Sequence, residues 1–431
     1  MIFVSSCLII FKHINRLSLL KFLNFFTLVF VLILFTLFAG CSSSKRYANK
    51  NEIPTRIELN ETSIRVLIDE DETSTFLTLQ TPVYLHDSNK KLALINSGNT
   101  IECYNSSDEI TVKIGSKKFT DKYFSLESAD NGYIKFNGKS YKGSIKLTTT
   151  DNIIEIVNYI NLEDYLKGVI SKEMPLGVGT ENLDALKALT ICARTYATLR
   201  MQEGKSIYDI FDDTRDQMYG GQDAESPLSD RAVEETSGKI LSYANKPAVV
   251  FYSSTCGGHT AAVHNVFTNK EFPYLEGVVD GNESYCKISS KYEWEEIYLK
   301  DVLIDRLVDA ALIKDDSFKF EEININNRFE CGRVDELEIL LEDTDGDEIS
   351  IMIYGNDIRG VLHTADGKSN LWSTLFDIEE DGDNIVINGK GYGHGVGLCQ
   401  WGAIHLSQEE WNYEDILEHY FPGISIGQLN D

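Results

Sequence analysis

The chain has 431 residues, 42% of them hydrophobic and 25% charged, proportions that are typical of a globular protein and exclude a disordered one. Its 67 Asp and Glu outnumber its 40 Lys and Arg, so the formal net charge is −27. A surface this acidic repels nucleic acid and anionic lipid headgroups, which excludes both as partners, and it argues against electrostatic capture of anionic polymers.

The first 40 residues have the pattern of an export signal. Lys12, Arg16 and Lys21 precede an apolar run over residues 22–38 that contains no acidic residue. A basic segment followed by an apolar one is typical of a secretory signal peptide or a membrane anchor. We therefore predict that residues 1–40 are a signal peptide.

The apolar run ends in the sequence Ala39-Gly40-Cys41, which three serines follow. Small residues before a cysteine resemble a bacterial lipobox, although Phe38 stands where leucine is usual. In this interpretation the chain is cut before Cys41, whose thiol carries a lipid, and residues 41–55 form a polar tether. The alternative is an uncleaved transmembrane helix. Both interpretations place the rest of the chain at the outer face of the cytoplasmic membrane.

Residues 56–140 have the pattern of a small all-β module. Ile64, Val66 and Ile68 alternate with polar residues, which is the period of a half-buried strand. Turn-forming Asn, Asp and Gly separate the short apolar runs that follow. These runs cover residues 76–79, 83–85, 92–95 and 133–136. The module contains no catalytic constellation, so we expect a positioning or binding role for it.

From residue 141 onward the pattern changes to mixed helices and strands. The periodicity predicts helices over residues 162–170, 182–201, 229–237 and 298–312, strands over 152–158 and 248–252, and further strands up to residue 398, where C-terminal helices begin. We therefore predict an α+β fold in which residues 141–431 form one domain behind the all-β module.

Two segments of this domain, residues 161–199 and 389–423, closely resemble the SpoIID/LytB family, which comprises stage II sporulation protein D and its amidase-enhancer relatives. Further stretches of the family's pattern lie between them, at residues 216–221, 252–260 and 358–362. The matching motifs occur in the family's order and span about two thirds of the chain. The resemblance implies that residues 141–431 form a SpoIID-like catalytic domain.

The resemblance also implies lytic transglycosylase activity on peptidoglycan strands whose stem peptides have been removed. The family's catalytic glutamate corresponds to Glu173, in the sequence Glu173-Met174-Pro175. Cleavage requires a proton on the leaving oxygen, and closing the 1,6-anhydro ring requires a base for the muramyl 6-hydroxyl. One carboxyl group can serve both steps, and burial would give it the raised pKa of an acid. The alternative is a surface glutamate ahead of a helix-breaking proline.

Lys187, Arg194 and Tyr196 match the family's pattern on the helix that follows. A cation there can orient Glu173 or bind the muramyl lactate carboxylate. For Arg194 the alternative is a structural ion pair. The loop over residues 176–180 departs from the family, because relatives often carry Trp-Pro at this point, so we expect the cleft beside the glutamate to differ in shape.

The glycine-rich segment 391–397 lacks the Lys-Ser/Thr of a phosphate-binding loop, so nucleotide binding is not predicted. His394 and Gln400 are candidates for hydrogen bonds to the glycan. A structural role is the alternative for His394, and it is the favoured role for Trp401.

Cys256, His259 and Cys286 are candidate ligands of a structural zinc ion, with His264 as a candidate fourth ligand. Thiolate and imidazole suit zinc, and some members of the family hold this ion. The alternatives are a Cys256–Cys286 disulfide and two buried thiols. The wide scatter of the cysteines does not indicate a disulfide framework. Catalysis by Glu173 requires no cofactor.

Three hypotheses for the function follow. The leading one is an enzyme that cleaves the glycan strands of peptidoglycan. The second is a non-catalytic amidase enhancer that binds the wall and an N-acetylmuramoyl-L-alanine amidase, with sporulation engulfment proteins as further candidate partners. The third is a zinc-dependent wall hydrolase. The intact Glu173-Met174-Pro175 favours the first, and the altered loop over residues 176–180 keeps the second open.

Overall fold

The structure is a computed structural model that describes residues 63–429, apart from residues 72, 107–108, 131 and 205–206. The predicted signal peptide, the lipidated Cys41 and the tether lie outside the described residues and stay predictions. No helix in the described part of the chain is both long and apolar enough to cross a membrane. Strands and helices are mixed along the chain, which confirms the predicted α+β class.

The described part of residues 63–161 consists of short strands joined by turns. These strands are β1 (Ser63–Asp71), β2 (Ser74–Thr78), β3 (Val83–His86), β4 (Lys91–Ile95), β5 (Thr100–Ser106), β6 (Glu109–Ile114), β7 (Lys117–Asp121), β8 (Tyr123–Ser128), β9 (Tyr133–Phe136), β10 (Lys139–Lys142), β11 (Ser144–Thr150) and β12 (Ile153–Asn161). The alternation predicted in β1 is confirmed, since Ile64 and Val66 are fully buried.

The largest sheet has the strand order β13-β1-β12-β11-β8-β3-β4, where β13 is Ile210–Phe211. Its pairings are antiparallel, except that β13 runs parallel to β1. A second sheet has the order β2-β5-β6-β7, and β9 and β10 form a hairpin. Strands from both sides of residue 140 share the largest sheet, so the predicted domain boundary runs through it.

Three helices follow β12: α1 (Leu162–Glu173), α2 (Leu183–Glu203) and α3 (Pro227–Glu235). The side chain of Asn161 caps α1 by accepting the Glu163 N–H, and α2 ends at Gly204, which has a left-handed backbone. Most residues of α2 are buried, so it runs through the centre of the core. All three helices confirm the sequence prediction.

Three short strands come next, β14 (Lys239–Tyr243), β15 (Lys246–Pro247) and β16 (Tyr252–Ser253). The strand predicted over residues 248–252 is wrong for residues 248–251, which form no ladder. Val250 is nevertheless 1% exposed. The apolar run is therefore explained by the burial of an irregular segment and does not indicate a strand.

Residues 293–390, which we call the inserted subdomain, enclose a hydrophobic core of their own. They form β17 (Glu293–Leu299), α4 (Lys300–Asp309), β18 (Lys319–Arg328), β19 (Val334–Glu342), β20 (Glu348–Tyr354), α5 (Asp357–Leu362), β21 (Phe376–Asp381) and β22 (Asn384–Lys390). The strands make two antiparallel sheets, β17-β22-β21 and β18-β19-β20. The helix predicted over residues 298–312 is shorter than expected, because its first residues belong to β17.

The chain then returns to the first core through β23 (Leu398–Cys399), α6 (Gln400–Gln408), α7 (Tyr413–Tyr420) and β24 (Ser425–Gln428). Strand β23 pairs in parallel with β16, and β24 pairs with β14. The C-terminal part of α6 lies against the start of α2, where Ser407 donates a hydrogen bond to the Glu181 carbonyl. These contacts bring the beginning of α6 to the end of α1.

Candidate active site

Glu173 is the last residue of α1, and its position follows from the two residues after it. Met174 is extended, as expected for a residue before proline, and its N–H closes the helix on the Ile170 carbonyl at 3.1 Å. Pro175 cannot continue the helix because it lacks an N–H. The half-buried Glu173 carboxyl is therefore presented at a fixed helix end.

Three groups hydrogen-bond the Glu173 carboxyl. The Met218 N–H donates to Oε1 at 2.7 Å, Gln400 Nε2 lies 3.5 Å from Oε2, and the Tyr252 hydroxyl also contributes. Burial raises the pKa of Glu173 above its usual value, and these hydrogen bonds offset part of the rise. A raised pKa favours the protonated form of the carboxyl, which is the form that a general acid requires.

Behind the carboxyl, the buried side chain of Gln217 connects three elements. Its Nε2 donates to the Tyr252 hydroxyl at 3.0 Å and to the Ala193 carbonyl at 3.3 Å, while its Oε1 accepts from the Tyr165 hydroxyl at 3.0 Å. Burial raises the pKa of both tyrosines, so each hydroxyl stays protonated and able to donate. A buried network with complete hydrogen bonding fixes the side chains that it contains.

A surface cleft of about 580 Å³ lies beside this network, within the range of about 300–1,000 Å³ that is typical of ligand sites. Lys172, which directly precedes Glu173, and Met218, which donates to it, both line the cleft. The other lining residues include Lys139, Asp212, Tyr219 and Asp223. Burial raises the pKa of Asp212 to about 6.

The structure places Tyr196 next to the loop that carries Met218. Its hydroxyl donates to Asp216 Oδ1 at 2.6 Å, and the same carboxylate accepts the Phe211 N–H and lies 3.2 Å from Arg200 Nε. Tyr196 was predicted to bind substrate. This hydrogen bond anchors α2 to the loop over residues 216–218, and the role of Tyr196 in substrate binding stays a prediction.

Lys187 and Arg194 were also predicted to bind substrate. In the structure, both contact protein groups other than the Glu173 carboxyl. The Lys187 ammonium is 2.7 Å from Glu235 on α3. Arg194 is fully buried and makes a two-pronged ion pair with Glu163, at 2.9 and 2.7 Å, and it donates to the Lys239 carbonyl. The structure therefore places Arg194 in the structural ion pair that was the alternative, out of contact with solvent.

The two C-terminal candidates differ in their surroundings. Gln400 lies at the site, in contact with Glu173. His394 packs 4.8 Å from the Phe267 ring, its Nδ1 accepts the Val396 N–H at 3.0 Å, and burial lowers its pKa to about 3. These contacts agree with the structural alternative for His394, but its side chain is only half-buried, so the hydrogen bond to the glycan stays a prediction.

Cys256, Asp280, Cys286 and Cys399 form a group that we call the thiol cluster. All four are buried, and one ligand atom from each lies within 4.8 Å of the others. The Cys256 and Cys286 sulfurs are 3.6 Å apart, and the described cysteines are free thiols, so the disulfide alternative is not formed in this structure.

The two predicted histidine ligands lie outside the thiol cluster. His259 Nδ1 is 2.7 Å from the Thr260 carbonyl, and His264 Nδ1 is 3.5 Å from Glu276. Sequence spacing identified two of the four clustered residues. It missed Cys399, although this residue stands within the family-like segment 389–423.

Sequence reasoning also missed Gln217, Met218 and Tyr252. All three stand in stretches that match the family, residues 216–221 and 252–260, but no role was assigned to these three residues. The available signal was that each stretch holds polar or aromatic residues in an otherwise loop-like context.

Comparison with known families agrees with this division of the chain. The profile of the stage II sporulation protein family, SpoIID, matches residues 150–243. A domain of unknown function (DUF8618) matches residues 287–397, close to the bounds of the inserted subdomain.

Individual relatives extend the match. An uncharacterized protein of Brachyspira hyodysenteriae is 31% identical over 297 residues, which are 68% of this chain and 74% of the relative. Stage II sporulation protein D of Bacillus subtilis is 27% identical over 67% of this chain and 80% of its own length. The amidase enhancer of the same bacterium is 29% identical, but the match covers only 40% of it. The chain belongs to the SpoIID/LytB family.

Proposed function

We propose that this protein is a peptidoglycan lytic transglycosylase that cleaves strands without stem peptides, with Glu173 as its acid and base. The observation that carries the proposal is the Glu173 carboxyl itself. It has a pKa raised by burial and three hydrogen-bonding partners. Its chain neighbour Lys172 and its donor Met218 line a cleft, although Glu173 is not itself among the lining residues. Membership of the SpoIID/LytB family supports an action on the cell wall.

In the proposed reaction, protonated Glu173 donates its proton to the oxygen that links N-acetylmuramic acid to N-acetylglucosamine. As the bond from this oxygen to the muramyl C1 breaks, the carboxylate accepts the proton of the muramyl 6-hydroxyl. The 6-oxygen then bonds to C1 and closes the 1,6-anhydro ring. No water is consumed, and Glu173 ends the cycle protonated again.

The hydrogen bonds around Glu173 suit both halves of this cycle. The Met218 N–H and the Tyr252 hydroxyl stabilise the carboxylate after it has lost its proton, and burial favours the protonated form before that. The groups that hydrogen-bond Glu173 in the described part of the chain include no carboxylate. A single carboxyl suits a transglycosylase better than a glycosidase, which uses a pair.

The second candidate function is a non-catalytic modifier that binds the wall and an amidase. Its support is the 29% identity to a protein named amidase enhancer. Sporulation engulfment proteins are further candidate partners. In either case we propose that Cys41 carries a lipid that anchors the chain at the outer face of the cytoplasmic membrane, or that a single N-terminal helix does so.

The test is mass spectrometry of the products that form when amidase-stripped peptidoglycan is incubated with residues 42–431. Anhydromuramyl products from the wild type, but not from Glu173→Gln, are expected. Glu234→Gln is a matched control, because it removes an exposed carboxylate that pairs with Lys167 on α1. Products with reducing ends would instead indicate hydrolysis, and no products from folded protein would favour the amidase modifier.

A further inference from the structure

We propose that the thiol cluster is a structural zinc site, with Cys256, Asp280, Cys286 and Cys399 as its four ligands. The site differs from the one predicted from sequence, because Asp280 and Cys399 replace His259 and His264. It does not depend on the proposed reaction at Glu173.

The spacing of the sulfurs fits a metal ion. In a tetrahedral site with zinc–sulfur bonds of about 2.3 Å, two sulfurs lie about 3.8 Å apart. The Cys256 and Cys286 sulfurs are 3.6 Å apart, whereas a disulfide would bring them to about 2.05 Å. The remaining ligand atoms lie within 4.8 Å of one another, so one ion can reach all four.

The chemistry of the ligands selects zinc. Thiolate sulfur and carboxylate oxygen are both ligands that zinc accepts, and its structural sites are closed by four protein ligands. All four side chains are buried, so solvent does not occupy a coordination position. A closed set of four leaves no position for a reacting water, which makes the proposed site structural.

Hydrogen bonds already orient the ligands. Asp280 Oδ1 accepts from the Tyr420 hydroxyl at 2.6 Å, and Oδ2 accepts the Cys286 N–H at 2.9 Å. The Cys256 N–H donates to the Cys399 sulfur at 3.2 Å. Such outer contacts fix the direction of ligand atoms and are a regular feature of metal sites.

A buried cation beside the cluster points to the same conclusion. Arg333 is 1% exposed, and its Nη2 donates to the Cys256 carbonyl at 2.8 Å, while Nε and Nη1 have no hydrogen-bond partner. It forms no ion pair with a carboxylate in the described part of the chain. A buried guanidinium without a counter-charge is costly. Zinc bound by three thiolates and one carboxylate has a net charge of −2, which would supply a counter-charge for Arg333.

The proposed ion would also stabilise the geometry near Glu173. Cys399 pairs with Ser253 across β16 and β23, and the neighbours of these two residues are Gln400 and Tyr252. Both neighbours hydrogen-bond the catalytic candidate. We therefore expect the zinc to act as a positioning element for the carboxyl and to take no part in bond breaking.

The experiment measures metal in purified residues 42–431, kept reduced and supplied with zinc, by plasma mass spectrometry. One zinc per chain is expected for the wild type. Asp280→Asn and Cys399→Ser are expected to lose most of it, whereas Cys192→Ser, which changes a buried thiol outside the cluster, and His259→Ala are expected to keep it. Replacement of zinc by cobalt should give the near-ultraviolet absorption of thiolate-to-cobalt charge transfer in the wild type and not in Cys399→Ser.

Three outcomes would overturn the site. These are wild-type protein without metal, full zinc in folded Cys399→Ser, and zinc that depends on His259 but not on Cys399. Peptide mapping that finds a Cys256–Cys286 bond in protein purified under non-reducing conditions would replace the metal site with a disulfide. None of these results bears on whether Glu173→Gln abolishes glycan cleavage, so the two proposals fail separately.

Discussion

Around Glu173, buried polar side chains from distant segments hydrogen-bond one another, whereas the inserted subdomain is organised around apolar side chains. Gln217 contacts Tyr165 and Tyr252, which come from different elements. In β19, by contrast, Leu337, Ile339 and Leu341 alternate inward in a core of aliphatic and aromatic residues. A polar network fails if one partner is lost, but an apolar core tolerates exchange of similar side chains. The motifs recognisable in the sequence accordingly lie mainly in the region around Glu173.

The two regions also differ in charge. The inserted subdomain holds 26 Asp and Glu against nine Lys and Arg, a net charge of −17 out of the −27 of the whole chain. The acidity that argued against anionic partners is therefore concentrated in residues 293–390. Such a surface repels anionic wall polymers.

The largest expected effect comes from Glu173→Gln. Loss of a general acid and base lowers rates by about 10²–10⁴-fold, and we expect anhydromuramyl product formation to fall by that factor. Because burial raises the pKa of this carboxyl, the folded state keeps a proton that the unfolded state releases at lower pH. The wild type therefore loses stability as pH rises through the raised pKa.

It follows that the melting temperature of Glu173→Gln at neutral pH should be no lower than that of the wild type, since the amide cannot become a buried charge. Calorimetry beside the activity assay checks this. A variant that is both inactive and much less stable would indicate a structural role for Glu173.

The next effect separates the two cores. Leu186 in α2 and Ile339 in β19 are both fully buried, and shortening either to Ala costs about 2–5 kcal/mol in typical cores. Hydrogen–deuterium exchange should show faster exchange confined to residues 293–390 for Ile339→Ala. For Leu186→Ala it should show faster exchange around α1 and α2, with loss of glycan cleavage. Faster exchange throughout the described chain in both variants would mean that the cores unfold as one unit.

Much of the region around Glu173 was predictable because the sequence patterns that indicate its structure are local. The periodicity of α2 and the Glu173-Met174-Pro175 motif both lie within a few residues of what they determine. Contacts between distant segments were not predictable in this way. Arg194 is buried against Glu163, and Cys399 lies 143 residues from Cys256. The spacing of residues in the sequence does not indicate which distant residues they contact.

The same reasoning explains the weaker predictions elsewhere. Strands β5 to β8 were not predicted, and β17 was merged with α4, because short strands with charged faces carry little periodic signal. No local sequence pattern indicated that the inserted subdomain has a hydrophobic core of its own. Whether residues 56–140 and 141–431 are separate folding units stays a prediction, since β11 and β12 share a sheet with β1 and β8.

A smaller effect is expected from Tyr252→Phe, which removes one hydrogen bond to Glu173. A hydrogen bond to a charged group contributes about 1.5–3 kcal/mol, so activity should fall by roughly ten- to a hundredfold. This hydrogen bond lowers the pKa of Glu173, so its loss should move the alkaline limb of the pH–rate profile to higher pH. Tyr243→Phe, which changes a tyrosine packed against Tyr274, is the matched control. A limb that moves to lower pH would contradict the assignment of Glu173 as the acid.

The smallest effect is expected from Asp212→Asn, which tests whether the cleft holds a second catalytic carboxyl. Asp212 lines the cleft, and burial raises its pKa to about 6, so it has one feature of a catalytic group. It is not among the groups that hydrogen-bond Glu173. We therefore expect a change of less than about tenfold, the equivalent of 1.4 kcal/mol, and unchanged anhydromuramyl products by mass spectrometry. A loss as large as that of Glu173→Gln would indicate a pair of carboxyls, and with it the water-dependent chemistry of a hydrolase.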